Sequence, residues 1–512
     1  MLDKEVFQGA LRELENLEGQ PLIQARLQDV IGKVYTSLGM YSESEPVLEK
    51  ALATRRELFG NAHQSTLNSM ATLGHLRAQQ ARYQEAVDLY EEALAGSRAA
   101  EGGAPALSFQ SRMLAALGLV AVRIERFDLA EQNSLEALEL AEAAGDEHGA
   151  AKARGVLGLT YWKAQRYQEA APILQEQLNF LRRSLGDDDP ATLVALNNLA
   201  LNYRGLGRSD EAVPIYEELL ARYTRIYGGD HQRTVTVLNN LAYVHQKQGR
   251  FNKAEPLFLL CLELTEARFG KDHELSQFYA VQVANLYCDS GRFEEAESRY
   301  KDINEQTLRM IGRENGAILQ NLCLLYRSWG RLPEALAFGQ RSLDYHRKIR
   351  GNDHMRTVEA LKELGFTEAV ADRIGEAKVH LLEALQTSAR LRVADHLETR
   401  GVLSTINEVV WPLVDPDRNA GKVPPDNALI ALQLITAAVE VAAADPALRD
   451  TRAWALLAAE RYDEGLAESM KALELADERD KQDYQSYVER MRSMVEIARA
   501  IDPPAKDETG DR

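Results

Sequence analysis

Ten times in this chain a Gly, Ala, Ser or Cys is followed twelve positions later by another very small residue, and the pairs recur about every forty-two positions. They are Gly32/Ser44, Gly74/Ala86, Gly118/Ala130, Gly158/Ala170, Ala200/Ala212, Ala242/Ala254, Ala284/Ala296, Cys323/Ala335, Gly365/Ala377 and Ala453/Gly465. Nine places after the first member stands a large apolar residue: Tyr41, Tyr83, Phe127, Tyr167, Phe251, Phe293, Leu332, Ile374 or Tyr462, with Ser209 the exception. Two antiparallel helices joined by a tight turn need small side chains where their backbones approach, and a bulky apolar group to plug the open end. Each unit therefore reads as one helical hairpin, A then B.

Between hairpins lies a second motif: Phe59-Gly60-Asn61-Ala62-His63, Leu185-Gly186-Asp187-Asp188-Asp189-Pro190, Tyr227-Gly228-Gly229-Asp230-His231, Phe269-Gly270-Lys271-Asp272-His273 and Arg350-Gly351-Asn352-Asp353-His354. Gly just past a helix is the expected C-cap, and Asp or Asn before the next apolar run the expected N-cap. The small/aromatic/small pattern resembles the tetratricopeptide repeat, over about nine-tenths of the chain. The 42-residue unit, this linker and the run Leu238-Asn239-Asn240-Leu241-Ala242-Tyr243 resemble the kinesin light chain type. The resemblance implies an all-α, right-handed superhelical solenoid of about ten hairpins with a C-terminal capping helix.

A chain of 512 residues would ordinarily hold several domains, yet no composition break divides the first 390, so one long stack is the simpler reading. The 78 acidic residues outnumber 60 basic ones, giving a net charge of −18 that argues against a general nucleic-acid or anionic-membrane binder. No run of eighteen apolar residues occurs, and Met1-Leu2-Asp3-Lys4-Glu5 lacks the character of a signal peptide. Cys261, Cys288 and Cys323 have no CxxC spacing and read as small core residues in a reducing compartment, which places the chain in the cytoplasm.

His63, His231, His273 and His354 recur beside Asp or Asn, a composition that can bind metal. They occur one per linker, however, so the expectation is that each packs or caps at a hairpin junction; an enzyme using the Asp-His linkers is the weaker alternative. No HExxH, Walker loop, GxSxG or GxGxxG signature is present, and no catalytic residue, metal or cofactor is expected.

What remains is recognition of a protein or peptide partner, sought on helix A, which the resemblance places on the concave face. Two positions before the small residue, four consecutive repeats carry an amide: Asn198, Asn240, Gln282 and Asn321. The same place holds Val30, Thr72, Ala116 and Val156 before them and Glu363 after. Amides offer both donors and an acceptor, so a row of them can grip the backbone of an extended peptide, or alternatively bond helix to helix. The candidate peptide-binding set is Asn197, Asn198, Arg204, Asn239, Asn240, Tyr243, Gln246, Gln282, Asn285, Asn321 and Arg327.

The expected layout is an N-terminal helix in 1–20, the repeat array in 21–390, degenerate and terminal repeats in 391–478, a capping helix in 479–501 and a disordered tail in 502–512. The array's beginning (Gln24-Ala25-Arg26-Leu27, Tyr35, Glu45-Pro46) and its terminal hairpin (Arg452-Ala453-Trp454, Arg461-Tyr462-Asp463-Glu464) are similar to the repeat arrays of bacterial serine/threonine protein kinases. That resemblance implies either a regulatory region of a kinase or a stand-alone relative, and no kinase motif occurs in the chain.

Overall fold

A computed structural model describes residues 19–100, 103–391, 397–419 and 423–501. The expected N-terminal helix, apart from its last two residues, and the expected tail lie outside these. The chain divides into two compact units, Met1–Leu257 and Phe258–Arg512.

The first unit contains α1 (Pro21–Ser37), α2 (Tyr41–Phe59), α3 (Gln64–Gln79), α4 (Tyr83–Ala99), α5 (Gly103–Arg123), α6 (Phe127–Ala143), α7 (Glu147–Lys163), α8 (Tyr167–Leu185), α9 (Pro190–Gly205), α10 (Ser209–Tyr227) and α11 (Gln232–Lys247). Helix α12 (Phe251–Phe269) contains the division. The second unit continues with α13 (Glu274–Asp289), α14 (Phe293–Ile311), α15 (Gly316–Ser328), α16 (Leu332–Arg350), α17 (Met355–Val370), α18 (Ile374–Leu391), α19 (Leu397–Val414), α20 (Pro416–Asn419), α21 (Pro425–Val441), α22 (Pro446–Ala458), α23 (Tyr462–Leu475) and α24 (Lys481–Ile501). No strand occurs among the described residues.

The small pairs are where helices touch. Ser44, Ala86, Ala130, Ala170, Ala212, Ala254, Ala296, Ala335 and Ala377 are all 0% exposed. A Cβ added at Gly32 would lie 2.4 Å from Leu48, and one at Gly158 would lie 2.5 Å from Leu174, so hydrogen is the only side chain these crossings accept without a shift. The bulky turn residues behave differently from a plug confined to its own hairpin. Tyr167 is half-buried and lies against Gly205 on the next A helix, and Phe293 stacks on Trp329 at 5.6 Å. They join successive repeats, because the hairpin's open end is also where the following A helix terminates.

Turns within hairpins close by Schellman bonding, as in Arg166 N–H to Tyr161 O (2.8 Å) with Gln165 N–H to Trp162 O (3.1 Å). The linkers between hairpins use another device. Gly60, Gly186, Gly228 and Gly351 have φ between 78° and 94° with ψ between 160° and 175°, a region only glycine occupies readily. Each following helix is then capped by a side chain. The Nδ1 atoms of His63, His231, His273 and His354 accept from the backbone N–H two residues on, at 3.0–3.2 Å. Asp189 and Asn315 do the same in their repeats.

Past residue 397 the hairpin geometry returns in degenerate form. Helices α19 and α21 bury Ile406, Val410, Leu434 and Ile435 in one core with Trp454 of α22 and Met491 of α24. Helix α19 runs on through Trp411 and Pro412 to Val414, because a proline in the last turn removes little of the helical bonding. Helix α5 alone among the described residues is long and apolar enough to cross a membrane by composition, and 67% of that apolar window is buried in the unit.

Candidate partner-binding surface

In the first unit the amide positions fall on α9 and α11, the A helices of successive repeats. Asn197, Asn198 and Asn239 are half-buried, whereas Asn240 and Gln246 are only 8% and 6% exposed. Arg204 Nη1 donates to Asn240 Oδ1 at 3.2 Å, so that carbonyl is already spent in joining α9 to α11. The same guanidinium lies 5.1 Å from the centre of the Tyr243 ring, and the Lys247 ammonium lies 5.4 Å from it. The structure thus brings Arg204, Asn240 and Tyr243 together. Asn197 and Asn198 make no side-chain hydrogen bond among the described residues and keep their donors and acceptors available.

In the second unit Gln282 and Asn321 are half-buried and likewise unbonded through their side chains among the described residues. Asn285 Oδ1 accepts from the Tyr300 hydroxyl within its own hairpin. Arg327 pairs with Glu363 at 3.2 Å, donates to Thr367 Oγ1 at 3.0 Å and lies 4.7 Å from the Phe366 ring. Its charge is answered inside the protein. A residue the sequence reading passed over, Asn202, is fully buried and donates to Tyr167 O at 3.0 Å, tying α9 to the preceding repeat.

The linker histidines have their Nδ1 atoms committed to caps. Three of the rings also stack on the aromatic four residues earlier: His63 on Phe59, His231 on Tyr227 and His273 on Phe269, at 4.4–4.8 Å. Among the described residues no three His, Cys, Asp or Glu side chains converge as a metal site requires. Burial pushes the Cys261 thiol up to about 12 and the Cys288 thiol up to about 11, which keeps both from forming a reactive thiolate near neutral pH.

A concavity of about 1030 Å³ in the first unit lies elsewhere. Most of its lining comes from α1, α3, α5 and α7, the A helices of four successive repeats, with Thr72, Ala116 and Val156 among the lining residues, and the rest from α2, α4 and the linkers. Thr72, Ala116 and Val156 are the residues that precede the amides at the same place in the repeat. Tyr90, Phe109 and Met113 supply buried apolar surface, and Arg26, His75, Arg112, Arg123 and Lys152 stand around it. Its one carboxylate among the described residues, Asp29, is buried and bonded to Arg55 at 3.1 Å and Lys33 at 3.3 Å.

Comparison with known proteins agrees with the repeat geometry. The tetratricopeptide repeat profile matches residues 24–99, 109–183, 150–225, 192–264 and 233–303. No curated protein matches the sequence. Among solved structures, BtubC (BKLC) from P. vanneervenii is 20% identical, covering 45% of this chain and 92% of its own with a TM-score of 0.40. The nearly identical TPR-like repeats of a kinesin light chain-type protein from Podosopora anserina are 19% identical over 49% of this chain and 97% of their own, with a TM-score of 0.28. Yeast Tom70 is 11% identical over 94% of this chain and 97% of its own, with a TM-score of 0.43. With more than half of its residues matched by the repeat profile and its small pairs buried at the crossings of helical hairpins, the chain belongs to the tetratricopeptide repeat family.

Proposed function

We propose that the chain is a non-catalytic scaffold whose A helices hold an extended segment of a partner protein. The observation that carries this reading is the half-buried amide with unspent bonding capacity, at one position of the repeat: Asn198 in the first unit, Gln282 and Asn321 in the second. An amide held this way by a rigid helix offers an acceptor and donors to a passing backbone, whatever its side chains. Asn240 shares the position but serves as adhesive, its carbonyl taken by Arg204.

The test separates the two uses. A library-selected extended peptide that binds the second unit should bind the Gln282→Ala/Asn321→Ala variant more weakly by about 1–3 kcal/mol, one hydrogen bond of roughly 0.5–1.5 kcal/mol per site, with circular dichroism and melting unchanged. Asn240→Ala should instead lower the melting temperature. Unchanged affinity in the double variant would remove the amides from the binding surface.

A further inference from the structure

The cations around the first-unit concavity follow the repeat. Six positions before the small residue of helix A stand Arg26, Asn68, Arg112 and Lys152, while the next two repeats of the same unit place Val194 and Thr236 there. One position after it, Lys33 and His75 occupy the first two repeats, and five after it Arg123 and Lys163 occupy the third and fourth. Arg26, Arg112, Arg123 and Lys152 have no carboxylate within ion-pairing distance among the described residues. On the B helices and hairpin turns of the same unit, by contrast, Arg56, Arg82, Arg98, Arg166 and Arg208 each have one.

We propose that this concavity binds an acidic, aliphatic-rich extended segment of a partner protein, its carboxylates meeting Arg26, Arg112, Arg123 and Lys152 and its apolar side chains meeting the exposed apolar lining at Leu22, Phe59 and Leu119. The occupant is argued from charge and shape together. The whole chain carries −18, so a cluster of cations without carboxylate partners in this first-unit concavity runs against the average sign, and low-dielectric walls concentrate the field of such a cluster. Alternate side chains of an extended strand point to opposite sides, which lets one segment present acids to the rim and aliphatics to the apolar lining.

The local titration behaviour agrees. Lys152 remains in contact with solvent, yet burial in the concavity and then the nearby Arg112 guanidinium hold its pKa below the usual ammonium range. His75 is pushed down likewise by burial and then by Lys152. Cations that depress one another in this way gain from an incoming carboxylate. Rim ammonium and guanidinium groups also make the encounter fast and sensitive to salt.

The inference rests on the reading that A helices hold extended segments, but on different residues, so the two can fail separately. A fluorescein-labelled peptide alternating Glu with Leu and Ser, and its counterpart with Lys for Glu, are titrated against the full chain by fluorescence anisotropy. The acidic peptide should bind and the basic one should not. Arg112→Glu/Lys152→Glu should weaken the acidic peptide at least tenfold, Arg112→Gln/Lys152→Gln by a smaller factor, and Asn198→Ala/Asn321→Ala by less than about twofold. Higher salt should weaken it further. Both charged positions are exposed, and circular dichroism confirms that each variant is folded. Absence of acidic-peptide binding, equal binding of both peptides, unchanged affinity in the charge-reversed variant, or a loss in the amide variant equal to that in the charge-reversed one would each overturn the proposal.

Discussion

The hairpin crossing at Gly158 and Leu174 allows a two-residue test of what holds each unit together. An added Cβ at Gly158 would lie 2.5 Å from Leu174 Cδ2 and 2.7 Å from its Cγ, and Leu174 is 0% exposed, so its branch point has nowhere to move. Overpacking of this kind costs about 1–3 kcal/mol, against which replacing glycine by alanine inside a helix returns about 1 kcal/mol, so Gly158→Ala alone should destabilise by roughly 0–2 kcal/mol. Leu174→Ala alone opens a cavity and should cost about 2–5 kcal/mol. In the double variant the new methyl enters the vacated space without a clash, so the two losses should not add: a favourable coupling of about 1–3 kcal/mol is expected. Urea unfolding followed by circular dichroism on all four proteins measures it. Gly401 on α19 is the control, since no atom lies within 4 Å of its Cβ position and Gly401→Ala should stabilise by about 0.4–1 kcal/mol. Additivity of the Gly158 and Leu174 changes to within about 0.5 kcal/mol would refute the close-crossing argument.

Two further expectations concern the linkers and the last repeats. Changing His231 and His273 to Ala should cost about 0.5–2 kcal/mol per lost cap, whereas changing them to Asn should restore the cap and leave the affinity for a selected peptide within about threefold; a loss of binding in a folded Asn variant would give these rings a role in recognition. Burial raises the Asp450 carboxyl from the usual carboxylate range to about 7, beside Tyr484 of α24. The folded chain therefore holds a proton that the unfolded chain releases, so the stability from this group is present at low pH and is lost as pH rises between about 4 and 7. Asp450→Asn should accordingly melt higher than the parent protein at about pH 8, with the advantage shrinking towards about pH 4; an equal or lower melting temperature at about pH 8 would contradict the assignment.

The fold was legible in the sequence because a close helix crossing tolerates almost nothing at its centre. Only Gly, Ala, Ser or Cys serves at positions such as Gly32, Ala200 and Cys323, and their regular spacing therefore shows directly. The linker histidines were legible as periodic junction residues that pack or cap, and they do both; what spacing does not encode is the ring orientation that brings Nδ1 to the second backbone N–H. The bulky turn residues were legible as apolar, though not as bridges to the next repeat. The amides stood out by recurrence, yet side-chain pairing divides them: Asn240 is engaged by Arg204, while Asn198 is left open. Helical B-face clamps such as Arg166 to Glu169 at 2.6 Å also repeat through the chain, and one sequence spacing cannot distinguish such a paired Arg from an unanswered one like Arg112. The cationic positions became visible only when α1, α3, α5 and α7 were seen to face one concavity.

In the first unit this separates the residues that make the hairpin from those free to choose a partner. Positions at the crossing, such as Gly158 and Ala200, touch the adjoining helix and are held to small side chains in every repeat. Positions six before them touch no crossing, so one scaffold can carry Arg112 and Lys152 in two repeats and Val194 and Thr236 in the next two. Because a repeat stack is held by contacts between neighbours, such substitutions leave the helical interfaces intact and change only the face that is presented. A surface that passes from cations beside an apolar lining to amides over Tyr243 can thus arise without alteration of the fold, and the charge and amide variants should act on binding independently of one another.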